Sequence, residues 1–568
     1  MKNRSVAELL RKMADLLELK NGRFKVRAYR RAARIIDAMQ EDIGQLYERG
    51  ELESIPGVGQ GIAEKIAEYL STGKASYYEK LKKELPVKVG QLTSVEGIGP
   101  RTVKRFYKEL GIRNTEDLRK AAKSGRIAKL SGFGKRTENK IIESLERSGG
   151  HDRFLIARVK PVADDICRKL NLLGHVQRAE TAGSLRRRCE TVGDIDILVA
   201  SSRPADAIDA FCSMDNVLRI VSKGGAKARV ALSFGLMADL RVIRKESFGA
   251  ALQYFTGSRA HNIRTRKIAI SRGYKLSEYG LFKGRRIVAS KTEKSIYARL
   301  GMQWIPPELR EDSGEIVAAG KRELPDLVGI SDIKGDLHTH TSWSEGLNSL
   351  EEMVKKAADL GYEYIAITDH AGNLPIANAL DTRKLRKQAK EIDSLNLKKK
   401  EGWPRILKGA EVNIVDGGVD VADSLLEELD VVNAGLHQSL NEPEKKIMKK
   451  LTDAMENEHV DIIAHPSCRR IKSRKPVKFD LGEFLDVAKR TGTILEINSQ
   501  PDRLDLRDVH AREARKKGLI SISTDSHADN QMDYMRYGVY TARRAWCGKR
   551  NIINTMDLKT LYKKLGKR

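Results

Sequence analysis

The sequence predicts a multidomain chain with an all-helical N-terminal region, a central α+β region and a C-terminal α/β region of distorted barrel type. Three observations carry that reading. Glycine turns of one form recur three times within residues 1–150, each followed by a helical pattern. Two runs of strand character, carrying aspartates, follow within residues 151–248. From residue 331 onward, short apolar runs alternate with Lys/Glu-rich helical stretches, as in repeated strand–helix units.

The 568 residues exceed what one core supports, and about 150 residues per domain suggests three or four domains. The boundaries read as helical regions over 1–85 and 86–150, an α+β region over 151–248, a mixed region over 249–318, a linker over 319–330 and the α/β region over 331–568. Mean hydropathy is −0.46, and no apolar run approaches the ~20 residues that span a bilayer, so no membrane partner is expected. The opening MKNRSVAELLRKMADLLELK is amphipathic and lacks the continuous apolar stretch of a signal peptide. Cys167, Cys189, Cys212, Cys468 and Cys547 form no CxxC pair and read as free thiols in a reducing cytoplasm. A cytoplasmic monomer is expected.

Charge is distributed unevenly. Basic residues number 105 against 77 acidic, a balance of +28. Up to residue 330 the counts are 64 and 40, and beyond it 41 and 37. A basic front half predicts a polyanionic partner, with nucleic acid as the first candidate.

The recurring turns are SIPGVGQGIAEKI from Ser54, SVEGIGPRTVKRF from Ser94 and LSGFGKRTENKII from Leu130. Their glycine pairs are Gly57 and Gly59, Gly97 and Gly99, and Gly132 and Gly134. Such glycines let backbone approach a phosphate, and the next helix offers free N–H groups and its positive dipole end. One copy alone would read as an ordinary connection. Three copies in a basic region point to DNA backbone binding.

In GSLRRRCETVGDIDILV, Asp194 and Asp196 lie two apart on an expected strand and so share a face. Asp239, on a second expected strand MADLRVI, supplies a third carboxylate if the strands pair. Three such groups suit two hard divalent ions, Mg²⁺ by preference, that clamp phosphate oxygens. Upstream, Gly183-Ser184 precedes Arg186, Arg187 and Arg188, a combination of backbone N–H, hydroxyl and guanidinium suited to a triphosphate.

This segment resembles the nucleotidyltransferase signature of the family X DNA polymerases. YFTGSRAHNIRTR, from Tyr254, is similar to the family's nucleotide-pocket segment. The resemblance covers about 1–318 and implies a palm over 151–248 and a thumb over 249–318. It implies that Asp194, Asp196 and Asp239 hold Mg²⁺ or Mn²⁺, with Asp239 also activating the primer 3′-hydroxyl. It further implies that Gly183, Ser184 and Arg187 hold the β- and γ-phosphates. Tyr254, Phe255 and Gly257 would then border the sugar, Asn262 the incoming base and Arg266 the template side. The glycine turns resemble helix-hairpin-helix motifs. IPGVGQGIAEKIAEYLSTGK resembles a lyase segment with a Schiff-base lysine at Lys65, and Lys25 and Tyr29 match its phosphate-side positions. One family lysine is replaced by Gly61.

Eight of the eleven histidines follow residue 330. DLHTHTSWSEG supplies His338, His340 and Glu345; AITDH, His370; GAEVNI, Glu411; AGLHQS, His437; IIAHP, His465; and STDSH, Asp525 and His527. Most sit at the ends of apolar runs, where barrel active sites are assembled. Mixed imidazole and carboxylate donors suit Zn²⁺, Mn²⁺ or Fe²⁺ better than Mg²⁺ alone. The pattern resembles the PHP (polymerase and histidinol phosphatase) domain over 331–568. That resemblance implies a trinuclear Mn²⁺/Zn²⁺ cluster held by all nine residues, with Glu345 where the family commonly has aspartate. His459 and His510 read as structural or surface residues.

The expected activities are gap filling in DNA repair with dNTPs on gapped or nicked DNA, and a metal-dependent 3′–5′ exonuclease. Processing of abasic sites and a 5′-deoxyribose phosphate lyase are further expectations. The alternatives are fusion to a small-molecule phosphatase, or a non-catalytic scaffold binding DNA ends.

Overall fold

A computed structural model describes residues 2–566 other than 20–22, 40, 94, 96–97, 148–152, 375–376 and 399. The chain divides into two compact units, Met1–Asp152 and Arg153–Arg568.

Among the described residues the first unit is all helical. Its first helix, Lys2–Leu19, buries Val6, Leu10, Met13 and Leu17, apolar positions three and four apart that form one stripe. This stripe joins Ile36, Ile66 and Phe106 in a single core. The glycine turns adopt one geometry. The central residue of each Gly-x-Gly donates its N–H three residues back: Val58 to Ile55 O (2.9 Å), Ile98 to Val95 O (3.1 Å) and Phe133 to Leu130 O (2.9 Å). Gly57 and Gly132 have φ of +80° and +79°, which favours glycine. Gly97 lies outside the described residues. Gly59 and Gly99 precede the helices Gln60–Thr72 and Pro100–Leu110 and offer no capping side chain, so first-turn N–H groups there are left for another acceptor.

The second unit begins with a five-stranded sheet in the order Val176–Thr181, Asp194–Ser201, Met237–Ile243, Lys227–Leu232, Val217–Lys223. Its central pair, Asp194–Ser201 and Met237–Ile243, runs parallel and the other pairs antiparallel. The helix Ile156–Asn171 is preceded by a two-residue strand, Phe154–Leu155. Phe154–Leu155 pairs antiparallel with Thr191–Val192, and Ile156 N donates to Glu190 O at 3.0 Å. Cross-chain hydrogen bonding thus overrides the local helical pattern. Beyond the sheet, the helices Phe248–Thr256, Arg259–Ser271 and Glu293–Arg299 surround a small core of Ile296, Tyr297, Leu300 and Leu309.

Residues 319–330, read as a linker, are packed at both ends. Ala319 ends in that small core, and Val328 belongs to the core of the following barrel. Arg543 Nη1 donates to Val328 O at 3.0 Å.

Seven parallel strands then follow in chain order: Gly335–Thr339, Tyr364–Ile367, Arg405–Val415, Val431–Gly435, Ile462–Ala464, Ile494–Asn498 and Ile520–Ser523. The ring closes through a bridge between Thr339 and Ser526 and through Asp525 N donating to His338 O at 2.9 Å. Alternate residues enter different clusters, as strand periodicity requires. Tyr364 and Ala366 join Leu407, Val431, Ile462 and the C-terminal Leu561, whereas Ile365 and Ile367 pack with Met353 and Val354 of the helix Leu350–Asp359. No described helix is long and apolar enough to cross a membrane.

Candidate functional site

The barrel assembles all nine expected ligands at the carboxyl ends of its strands. His338 lies on the first strand and His340 just beyond it; His370, His437 and His465 follow their strands by one to three residues. Glu411 sits on the third strand, Asp525 and His527 follow the last, and Glu345 lies in the loop after the first. Donor atoms close enough to share ions form three overlapping groups: His338, His340, Glu411 and Asp525; His370, Glu411 and His437; and His340, His370 and His527. Glu411 is central. Its Oε1 lies 2.9 Å from His465 Nε2 and 3.1 Å from His437 Nε2, and its Oε2 lies 3.2 Å from His370 Nδ1 and 3.3 Å from His338 Nε2. Glu345 Oε1 reaches His527 Nε2 at 3.0 Å, so the longer side chain still arrives at the cluster. A Cβ at Gly435 would lie 2.7 Å from His437 and 2.8 Å from Glu411, which accounts for glycine there.

Electrostatics and hydrogen bonding both fit bound cations. Burial pushes His340 down to about 4, and His370 and His465 to about 3, so all three present neutral imidazoles. Burial opposes ionisation of Glu411, yet His370, His338 and His437 together hold it well below the carboxylate range. Burial would lower His338 too, but Glu411, Glu496 and Asp525 outweigh it and hold the ring well above its ordinary value. A proton there occupies a field that a metal ion would satisfy better. His338 Nε2, both ring nitrogens of His340, and Nδ1 of His370 and His465 are buried without a hydrogen bond. Buried polar atoms are seldom left so, and imidazole nitrogens beside ionised carboxylates are the donors of a Zn²⁺ or Mn²⁺ site. The residues fit the implied cluster.

Sequence reasoning missed the residues that orient these ligands. Glu496 Oε1 accepts from His338 Nδ1 (2.8 Å), Asn413 Oδ1 faces His437 Nδ1 (2.8 Å), and Asn498 Nδ2 donates to Asp525 Oδ2 (3.0 Å). Such partners fix tautomer and ring direction. Their signal was a polar residue at alternate positions of an apolar strand, as in ILEIN and AEVNI.

In the sheet, Asp196 lies directly opposite Asp239 on the parallel neighbour, and Asp194 is two residues earlier on the same face. Burial, then the charges of Asp194 and Asp239, push Asp196 up to about 7, the sign of carboxylates gathered at one place. Arg229 Nη1 approaches Asp239 Oδ2 at 3.4 Å. Gly183 has φ +58°, and a Cβ there would collide with the Asp196 carboxylate. The Gly-Ser turn therefore abuts the acidic cluster. Gly183–Arg186 forms a short helix rather than a bare turn.

The three arginines after Ser184 have different surroundings. Arg186 makes a two-pronged pair with Glu293 at 2.8 Å and donates to Thr256 Oγ1. Arg187 donates Nε to Glu311 Oε1 (3.0 Å) and Nη1 to Thr256 O (2.6 Å). Arg188 stacks its guanidinium 4.4 Å from the Tyr540 ring. Arg187 also packs against Gly257, where a Cβ would lie 3.1 Å from its Nη1. The two expected nucleotide segments, 71 residues apart at Arg187 and Ser258, thus meet. Tyr254 and Phe255 sit edge to face at 5.1 Å. Asn262 is held by Gln253 (2.9 Å) and donates to Tyr254 O (2.6 Å), and Arg266 lies over the Tyr254 ring at 5.8 Å.

In the helical unit, Lys65 Nζ lies 5.0 Å from the Tyr77 ring centre and donates to Gly61 O. Tyr29 is buried, and burial with neighbouring Tyr77 pushes its hydroxyl up to about 12. Lys25 is exposed on the same helix, Arg23–Ala38.

Comparison with known proteins agrees with this layout. Residues 1–75 match a helix-hairpin-helix domain, 89–147 a SAM-like helix-hairpin-helix tandem, 251–311 the DNA polymerase beta thumb and 336–500 the PHP domain. The chain is 39% identical over 567 residues to the DNA polymerase/3′-5′ exonuclease PolX of Bacillus subtilis (strain 168), covering 98% of each. It is 28% identical to a probable phosphatase of Thermoanaerobacter sp. (strain X514), over 39% of this chain and 89% of that protein. It is 25% identical to DNA polymerase lambda of Arabidopsis thaliana, over 54% of this chain and 62% of that one. A helix-hairpin-helix region, a polymerase beta-type thumb and a PHP barrel on one chain define a family X DNA polymerase with a phosphoesterase half. The chain belongs to the bacterial PolX family.

Proposed function

We propose that the chain is a DNA polymerase that fills short gaps with dNTPs and, in its PHP barrel, a 3′–5′ exonuclease. The observation that supports it most is that the palm and barrel each keep a complete set of acidic or mixed ligands. Divalent ions bound at these sites would polarise phosphate oxygens and, in the barrel, activate water for attack on phosphorus. Mg²⁺ is proposed for the palm and Mn²⁺ or Zn²⁺ for the barrel, on donor chemistry.

In the palm, Asp194 and Asp196 would hold ions against the triphosphate, and Asp239, opposite Asp196, would lie toward the primer 3′-hydroxyl and take part in removing its proton. Ser184, Arg187 and the Gly183 backbone would bind the β- and γ-phosphates, while Tyr254, Phe255, Gly257, Asn262 and Arg266 would line the nucleoside pocket. Catalysis is then positioning and charge stabilisation of an in-line displacement. In the barrel, the nine ligands would hold the metal cluster beside the scissile phosphate, with Glu496, Asn413 and Asn498 keeping ligand lone pairs aimed inward. The helix-hairpin-helix turns would grip backbone phosphates without reading sequence, as action at arbitrary sites requires.

Incubation with a one-nucleotide gapped duplex, with and without dNTPs, under Mg²⁺ and then Mn²⁺ tests both halves. His338→Ala with His340→Ala should abolish 3′-end degradation and leave gap filling. Retained nuclease overturns the barrel assignment. A second reading, a small-molecule phosphatase, draws on the likeness of 39% of the chain to a probable phosphatase, and faster turnover of a histidinol phosphate-type substrate than of 3′-labelled DNA would select it. Lys65 is proposed as a Schiff-base lysine for 5′-deoxyribose phosphate removal. A cytoplasmic location is proposed from the scattered free thiols.

A further inference from the structure

We propose that Arg544, on the last long helix of the PHP barrel, positions Arg187 of the palm, so that the phosphoesterase half takes part in nucleotide binding by the polymerase half. This rests on reading Gly183–Arg188 as the triphosphate-binding segment.

The contact is specific and almost dry. Arg544 and Arg187 side chains are 13% and 15% exposed. Arg544 Nη1 donates to the Arg187 carbonyl at 2.9 Å and to Glu311 Oε1 at 3.0 Å, and its Nε donates to Asp508 Oδ2 at 2.8 Å. Glu311 Oε1 is the same atom that accepts from Arg187 Nε at 3.0 Å. Two further barrel side chains hold the same palm segment. Tyr540, one turn before Arg544, carries the Arg188 guanidinium, and Arg469 donates to Glu190 Oε2 at 2.7 Å. Arg188 has φ +58°, a backbone state that an L-residue holds only when its surroundings fix it.

The charge arrangement gives the contact a purpose. Asp508 pairs with Arg544, and Glu311 Oε1 is shared between Arg544 Nη1 and Arg187 Nε. Sharing weakens the hold of Glu311 on the Arg187 guanidinium while the Arg187 backbone and Nε stay in place. Without Arg544, Glu311 would belong to Arg187 alone. The ion pair would tighten and draw the guanidinium away from a triphosphate, and the Arg187 carbonyl would lose its donor. A lysine cannot replace the fork that reaches Asp508, Glu311 and the carbonyl together.

The test uses the full chain on a one-nucleotide gapped duplex with Mg²⁺, reading KM for dNTP and kcat separately, with Mn²⁺-dependent 3′–5′ degradation measured on the same preparations. Arg544→Ala should raise KM for dNTP about tenfold with kcat within about twofold, and Arg544→Lys should give a smaller rise in the same direction. Degradation should be unchanged in both. Arg187→Ala with Arg544→Ala should be no worse than Arg187→Ala alone, a coupling that general loosening of the interface would not produce. If Arg544→Ala folds poorly, Arg544→Lys decides, and an unchanged KM in the lysine variant overturns the proposal. If Arg187→Ala itself leaves KM unchanged, the triphosphate reading fails. If Arg187→Ala raises KM and Arg544→Lys does not, only the present inference fails.

Discussion

Asp196 and Asp239 face each other in register across two adjacent parallel strands, and Asp196 is held at about 7 by burial and by its acidic neighbours. Replacing Asp196 by Asn should reduce nucleotide incorporation on the order of a thousandfold, the scale set by removing a key electrostatic group. Nuclease turnover by the same preparation should persist. Single-turnover extension of a gapped duplex measures the first and release of 3′-terminal nucleotide the second.

The raised Asp196 pKa also predicts a pH dependence. The folded value lies above the ordinary aspartate value of 3.8, so ionisation disfavours the fold. Its contribution to stability is present at low pH and lost as pH rises through about 7. A cation binds the ionised form and relieves that loss, so Mg²⁺ should raise the melting temperature more at pH 8 than at pH 6. The difference should vanish in Asp196→Asn, and thermal melts with and without Mg²⁺ decide it.

Glu411 touches four histidines at 2.9–3.3 Å, so Glu411→Gln should cost more than one bound ion. Metal content per chain, measured by atomic emission after dialysis, should fall by two or more relative to the unaltered protein. Exonuclease activity should fall with it, and gap filling should remain.

Glu496 stands behind the cluster, its Oε1 accepting from His338 Nδ1 and its Oε2 from His465 N. Glu496→Gln should weaken metal affinity by about 10–100-fold, the range seen for partners that orient a ligand. Titration against a chromogenic chelator reads it. Because His338 is held well above its ordinary value by Glu411, Glu496 and Asp525, ion binding displaces its proton. Apparent affinity should therefore rise with pH through neutrality, and calorimetry in buffers of different ionisation enthalpy should detect the released proton.

Lys65 lies beside Tyr77 in the helical unit. Borohydride should trap the chain on an incised abasic duplex, and Lys65→Ala should reduce trapping at least about tenfold if this amine forms the Schiff base. Equal cross-linking by both proteins removes Lys65 from that role.

Much of the molecule was legible in its residues because the signals are local. A DxD on an apolar run fixes two carboxylates on one face through the strand's period of two, and Gly-x-Gly turns announce a backbone state that other residues resist. Histidines and acids at the ends of successive apolar runs likewise mark one rim of a barrel, since parallel strands all end on the same side. Spacing thus marked the three regions and the acidic cluster, and spacing together with the resemblance to the PHP domain pointed to the nine barrel residues. Pairing across the chain was a matter for the tertiary structure. It turned Phe154–Leu155 into a strand, placed Glu496, Asn413 and Asn498 behind the ligands, and set Arg544 against Arg187, 357 residues away. No period or motif records such contacts, because a buried charge finds its partner through the packing of whole elements rather than through its neighbours in sequence.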